Sequence, residues 1–167
     1  FGEGKTPLLR CIFIVSIIGI AISFPILGIA AEVNIQQAKI VAQNWLYQYI
    51  QDHKMWAGST YPQIIGEEIL KYNTLAVGYN FLIAPRGHII VPVRDELPPI
   101  KLYSETVTLS IQSPDNNREV LAWLIEDELL QPVQAFTQQI AQTDTVDWSS
   151  TTNGRLWQIF SKSRQDF

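Results

Sequence analysis

The side chains able to do nucleophilic, acid-base or metal chemistry are few here and poorly placed for it. Cys11 is the single cysteine of the 167-residue chain, and His53 and His88 are its two imidazoles. A thiolate nucleophile needs a histidine within hydrogen-bond reach and a third group that orients it. Cys11 instead stands in a long apolar run, where it reads as a small filler. Serines are present, but none sits in a G-x-S-x-G elbow. Two isolated histidines supply no convergent ligand set, so no metal site is predicted. His53 closes a helical pattern, where a cation complements the dipole, and His88 opens a strand beside a turn, where it is expected to face water. Glu67 and Glu68 are consecutive, as are Glu126, Asp127 and Glu128. Consecutive carboxylates spread around an element instead of pairing across a cleft, so these read as solvated faces. No glycine-rich loop could cradle a phosphate. On these grounds the chain is not expected to be an enzyme or to carry a cofactor.

The formal charge of −4 argues against nucleic acid as a partner, because that binding needs a basic stripe to release counterions. Residues 11–31 are almost wholly apolar, follow Lys5 and Arg10, and end in the small residues Gly28, Ala30 and Ala31. A basic stretch, an apolar stretch and a small-residue site make up a secretory signal peptide. Cleavage is expected after Ala30 or Ala31, giving an exported product, secreted or periplasmic, that meets the membrane through this segment alone. The apolar run is near the roughly 20 residues that span a bilayer, so a retained anchor is the competing reading. Pro25, shortly before the small residues, favours cleavage over a continuous span.

The remaining residues are about one domain's worth of chain. Asn34 with Gln37 three residues on forms a helix start, and Ile35, Ala38, Val41, Ala42, Trp45, Leu46 and Tyr49 follow at helical spacing. Residues 64–71 read as a strand leading into the turn signal Tyr72-Asn73-Thr74. Residues 79–84 and 88–93 are aromatic and branched runs separated by Pro85-Arg86-Gly87, which reads as a hairpin. Pro92 cannot donate to a ladder, so the second strand is expected to end there or lie at an edge. Asp95 and Glu96 read as a solvated loop. Residues 106–111 alternate Val107, Leu109 and Ile111 with Thr106, Thr108 and Ser110, predicting a further strand. Beyond a turn at 113–117, Val120, Trp123, Leu124, Leu130, Val133, Phe136 and Ile140 keep helical spacing, with Pro132 predicting a kink or two shorter helices. A short helix is expected at 155–161. The fold class is therefore α+β: an amphipathic helix on a small antiparallel sheet, then a helical C-terminal extension, with divisions at 1–31, 32–112 and 113–167.

Among the aromatics, Trp45 and Tyr49 read as core. Trp56, in a polar loop beside Gly58, is a candidate partner anchor, since buried indoles dominate protein interfaces. Trp148 and Trp157 flank a Ser/Thr-rich tail and are candidates for docking it onto something outside this chain.

Residues 79–105, Y-N-F-L-I-A-P-R-G-H-I-I-V-P-V-R-D-E-L-P-P-I-K-L-Y-S-E, carry a family pattern. The layout resembles the prodomain of the streptopain family of secreted cysteine proteases. There a strand pair ending in a Gly-hydrophobic-hydrophobic-Val segment is followed by an acidic loop, a proline and a short apolar piece closing in Tyr-Ser. Gly87-His88-Ile89-Ile90-Val91 and Pro99-Ile100-Lys101-Leu102-Tyr103-Ser104 stand at the matching places. The resemblance covers roughly residues 31–105; Pro92 and Arg94 depart from it. It implies an inhibitory, folding-assisting prodomain whose partner is a cysteine protease catalytic domain, in cis or in trans. The family's catalytic Cys and His match nothing in this chain, so the parent would be the endopeptidase. The hairpin and residues 97–104 are then expected to face the protease, with Leu97, Ile100, Tyr103, Ser104 and Trp56 as partner-facing residues. The Ser/Thr-rich tail is expected to form an exposed activation linker. A stand-alone secreted inhibitor of such a protease is the second reading. An envelope domain that binds peptide or another subunit at a sheet edge is the third.

Overall fold

The computed structural model describes residues 32–112, 117–140 and 147–162. The proposed signal segment, with Ala30 and Ala31, lies outside them. No helix among the described residues is long and apolar enough to cross a membrane.

Helix α1 spans Ile35–His53 and starts as its sequence dictates: the Asn34 side chain accepts from the Gln37 amide at 2.9 Å. That bond satisfies one of the amides a helix start leaves orphaned. Lys54 ends the helix in the left-handed region, its amide returning to Ile50. The strands are β1 (Gln63–Tyr72), β2 (Leu75–Ala84), β3 (His88–Pro92) and β4 (Leu102–Ser104). They pair antiparallel in the order β1-β2-β3-β4, a meander in which each strand lies beside its sequence neighbour. The strand predicted at 64–71 and the hairpin about Pro85-Arg86-Gly87 are present, and β3 ends at Pro92 as the missing donor requires. β2 begins at Leu75, ahead of its aromatic run.

The sheet is covered on both faces. Tyr79, Phe81 and Ile83 of β2 with Ile89 and Val91 of β3 pack under Ala38, Val41, Ala42, Leu46 and Tyr49 of α1. Burying each such large side chain contributes about 1.5–3 kcal/mol. Leu70, Val77 and Ile90 meet Leu109, Leu121, Leu124, Leu129 and Leu130 in a second apolar layer. Apart from Leu109, which precedes them in the chain, those leucines come from α2 (Asn117–Trp123) and a π-helical segment, Leu124–Leu130, which runs on into α3 (Gln131–Ile140). Of the kink or two shorter helices expected about Pro132, the structure has two short α-helices, α2 and α3, joined by a wide π turn, with Pro132 in the first turn of α3. Proline lacks the amide and its ring collides with the carbonyl one turn back, and the Gln131 amide, reaching Glu126, already follows the looser π spacing. The buried stripe also differs from the predicted one: Val120 and Trp123 are exposed, while Leu121 and Leu129 are buried. Gly78 admits Leu129 here, because a Cβ would stand 3.0 Å from its methyl.

Residues 106–111 do not form the predicted strand. They lie over the second face, tied to it by side chains instead of a ladder. Asn80 donates to the Leu109 carbonyl at 2.6 Å, the Ile111 amide donates to Glu68 at 3.1 Å, and the Gly87 amide donates to the Thr108 hydroxyl at 2.9 Å. His88 Nδ1 lies 2.8 Å from the Val107 carbonyl. Glu68 and His88 are therefore buried, against the expectation of a solvated carboxylate and a water-facing imidazole. The polar groups of this segment need partners once water is excluded, and Glu68, Asn80 and His88 provide them. Burial pushes the His88 imidazole below its ordinary pKa, so it is held neutral.

Helix α4 (Thr152–Phe160), entered through a 3₁₀ turn at Trp148–Ser150, returns to the first layer. Trp157 is buried there and Phe160 packs against the same core. Over 147–162 the tail is thus docked, where an exposed linker was expected. Trp157 is committed within the chain: its indole donates to the Leu97 carbonyl at 2.7 Å.

Candidate docking surface

Trp45, Tyr49 and His53 recur every fourth residue along the C-terminal half of α1 and so stack on one side of it. Tyr49 and His53 lie ring on ring, centroids 4.1 Å apart at 13°. Trp45 and Tyr49 stand 5.3 Å apart. The loop after α1 then reverses sharply. Lys54, Ala57 and Gly58 take positive φ, and Trp56 and Ser59 exchange two backbone hydrogen bonds of 2.8 Å. This closed loop swings the indole of Trp56 back beneath the helix, edge-on to Tyr49 and to Trp45. Its Nε1 donates to the Arg86 carbonyl in the β2–β3 turn at 2.8 Å.

Trp56 is therefore wholly buried and does not face a partner, contrary to the reading that its polar loop left it free. Its role is to join α1 to the hairpin. Gly87 is required at the junction: its φ is +106°, and a Cβ there would run into the Ser104 carbonyl and the Trp56 ring.

Tyr103, on β4 opposite Ile89, completes the group. Its ring lies 4.7 Å from Trp45, 5.6 Å from Tyr49 and 6.0 Å from Trp56, yet the residue is 45% exposed. An exposed aromatic backed by three others is a preorganised anchor: two torsions are already fixed, so little entropy remains to be lost on docking. Ser104 closes β4, its hydroxyl accepting from the Val107 amide at 3.0 Å.

Glu105 locks the assembly. One carboxylate oxygen accepts from the Tyr49 hydroxyl, and the other accepts from the Ala57 amide at 2.9 Å. The Tyr49 hydroxyl, the Ala57 amide and nearby His53 hold the Glu105 carboxyl below its ordinary range. The same hydrogen bond from the other side, with burial, pushes the Tyr49 phenol up to about 12.

The remaining expected partner-facing residues separate. Ile100 is half-buried against the first core, while Leu97 is buried, with its carbonyl bonded to Trp157. Leu97 is thus an internal strut beneath the loop. The loop before it is not solvated as predicted: Glu96 is buried and paired with Arg94 at 2.5 Å, and Asn153 of α4 donates to the Glu96 carbonyl at 2.7 Å. Of the named set, Tyr103 remains open, with Ile100 and Ser104 at its margin. Tyr49 is a core residue and Trp45 packs against the core, as their helical spacing implied, and with His53 and Glu105 they back this surface; sequence reasoning gave His53 only a helix end and Glu105 no role. The fourfold spacing of Trp45, Tyr49 and His53 was the legible sign.

Among the described residues, no three of the His, Cys, Asp and Glu side chains come together as a metal site. Comparisons of the chain with family models, characterised proteins and solved structures yield no match.

Proposed function

We propose that this chain is the exported inhibitory and folding-assisting prodomain of a streptopain-like cysteine endopeptidase, docking on the catalytic domain through the Tyr103 surface. One observation carries the reading: the Tyr-Ser segment that the family pattern singles out ends β4 with its tyrosine half in solvent, on a platform of Trp45, Tyr49 and Trp56. The order of elements, helix, strand, hairpin, acidic loop and Tyr-Ser piece, is the order on which the resemblance rests and supports the reading. Inhibition follows from steric exclusion by a folded domain, and a covalent tether would raise the local concentration of the docking surface. A stand-alone inhibitor acting in trans would use the same face.

The test is affinity for the catalytic domain of a streptopain-family protease. Truncating a central aromatic anchor costs about 2 kcal/mol or more, so Tyr103→Ala is expected to weaken binding roughly 30-fold. Tyr61→Ala, at a residue 86% exposed on the far side of α1, is expected to change little. Equal affinities for the two variants would contradict the assignment of the surface.

A further inference from the structure

Strand β1 lies at the end of the sheet order, with nothing among the described residues paired to its outer edge. An open edge presents a row of backbone donors and acceptors and is a template for another strand. Exposed Ile65 (67%) and Ile69 (41%) lie along it, and a groove of about 880 Å³, lined in part by Ile40, Tyr47 and Tyr61, separates it from α1.

The register shows which part of the edge is usable. Between Ile64 and Gly66 the ladder slips by one residue of β1, so Ile65 is bulged. At the other slip, Leu70 pairs with Gly78 and Lys71 with Ala76, which places the extra residue, Val77, in β2. Residues 66–72 of β1 are therefore an unbroken strand. Alternation puts Glu67, Ile69 and Lys71 on one face, and Gly66, Glu68, Leu70 and Tyr72 on the other.

We propose that residues 66–72 pair with the same residues of a second copy of this chain, antiparallel and centred on Ile69, joining two four-stranded sheets into one. In an antiparallel ladder alternate residues turn their polar groups outward, so a two-fold axis must pass through a residue and not between two. Four centres near the middle satisfy this, and they differ in what they oppose. Centring on Glu67 sets that carboxylate against itself. Centring on Glu68 or Leu70 faces Glu67 or Lys71 with isoleucine. Centring on Ile69 pairs Ile69 with itself, Glu67 with Lys71 of the second copy and Lys71 with its Glu67, and sets each Tyr72 over the other copy's Gly66. Opposite charges and an aromatic ring over a glycine are the stabilising cross-strand pairs. The centre uses the whole regular edge, from the bulge to the turn. Glu67 would lie between Lys71 of the second copy and its own Lys39, which it already meets at 2.9 Å. The two α1 helices fall on the same side of the joined sheet. This pairing does not depend on the protease reading, because it uses neither Tyr103 nor β4.

The test is disulfide cross-linking of the full chain carrying Cys11→Ser, so that an introduced thiol is the only one. Self-paired residues have Cα atoms about 4.5–5.5 Å apart, inside the range a disulfide bridges. Ile69→Cys is expected to give a covalent dimer under mild oxidation, and Ile65→Cys, displaced from the axis, is expected not to. In sedimentation, Lys71→Glu is expected to weaken association roughly tenfold by setting like charges opposite each other twice, with Glu67→Lys and Lys39→Glu added to it restoring both the cross-copy pairs and the contact to α1. A chain that stays monomeric at high concentration, or one that cross-links equally through both cysteines, would overturn the proposal.

Discussion

Tyr49 and Glu105 set the pH range in which the docking surface keeps its shape. The folded Glu105 pKa lies below its ordinary value, so its contribution to stability is present above the unfolded pKa, about 4.5, and is lost as pH falls through the folded one. The Tyr49 pKa is raised to about 12, so its contribution is complete below pH 10 and disappears as pH rises through about 12. His88 acts as an earlier acid brake. Its folded pKa is lowered by burial, the unfolded chain binds the proton more readily, and stability is expected to decline as pH drops below about 6.5. Unfolding midpoints followed from pH 8 to 3 should therefore fall in two stages. Glu105→Gln should flatten the lower stage and leave the upper one in place; a single-stage loss unaffected by that variant would count against both assignments. The histidine's burial was hidden in the sequence because its partner, the Val107 carbonyl, comes from a segment whose alternation resembles a strand. Period two reports alternating exposure and says nothing about whether a backbone ladder lies alongside.

At the level of elements, the loops carry the constraints that position the site. Helix α1, β1 and the hairpin were legible because cap, periodicity and turn residues agree with one another. The segment over the second face and the π-helical turn were not, since both depend on which partner satisfies a backbone group in three dimensions. Gly87 sits where these constraints meet. Gly87→Ala is expected to destabilise the protein by roughly 2 kcal/mol or more in chemical denaturation, because positive φ and the clash with Ser104 and Trp56 act together. A neutral outcome would mean that the hairpin and β4 are not in register as described. The Arg94 and Glu96 pair is a second such point, since Glu96 is buried. Arg94→Leu leaves that carboxylate unpaired and is expected to cost about 3–5 kcal/mol by the same measurement.

Across the whole molecule, the short helix expected at 155–161 is present as α4 (Thr152–Phe160), and what the sequence disguised is its docking. A Ser/Thr-rich stretch reads as linker, yet Asn44 of α1 donates to the carbonyls of Phe160 and Lys162, each at 2.7 Å, while Trp157 and Asn153 hold the 96–97 loop. The C-terminal tail thereby braces the segment that leads to Tyr103, and its composition carries no trace of these long-range bonds. Trp157→Ala is expected to lower stability by about 3–5 kcal/mol, the range for a large buried aromatic, in equilibrium denaturation. A loss under 1 kcal/mol would show that the tail is only loosely applied. On the proposed function, this folded unit blocks a protease. It is tested most directly by titrating the full chain against an active streptopain-family protease while following cleavage of an unstructured substrate. Saturable inhibition that Tyr103→Ala weakens is the expected result. Undiminished cleavage, with the chain itself digested as a substrate, would contradict it.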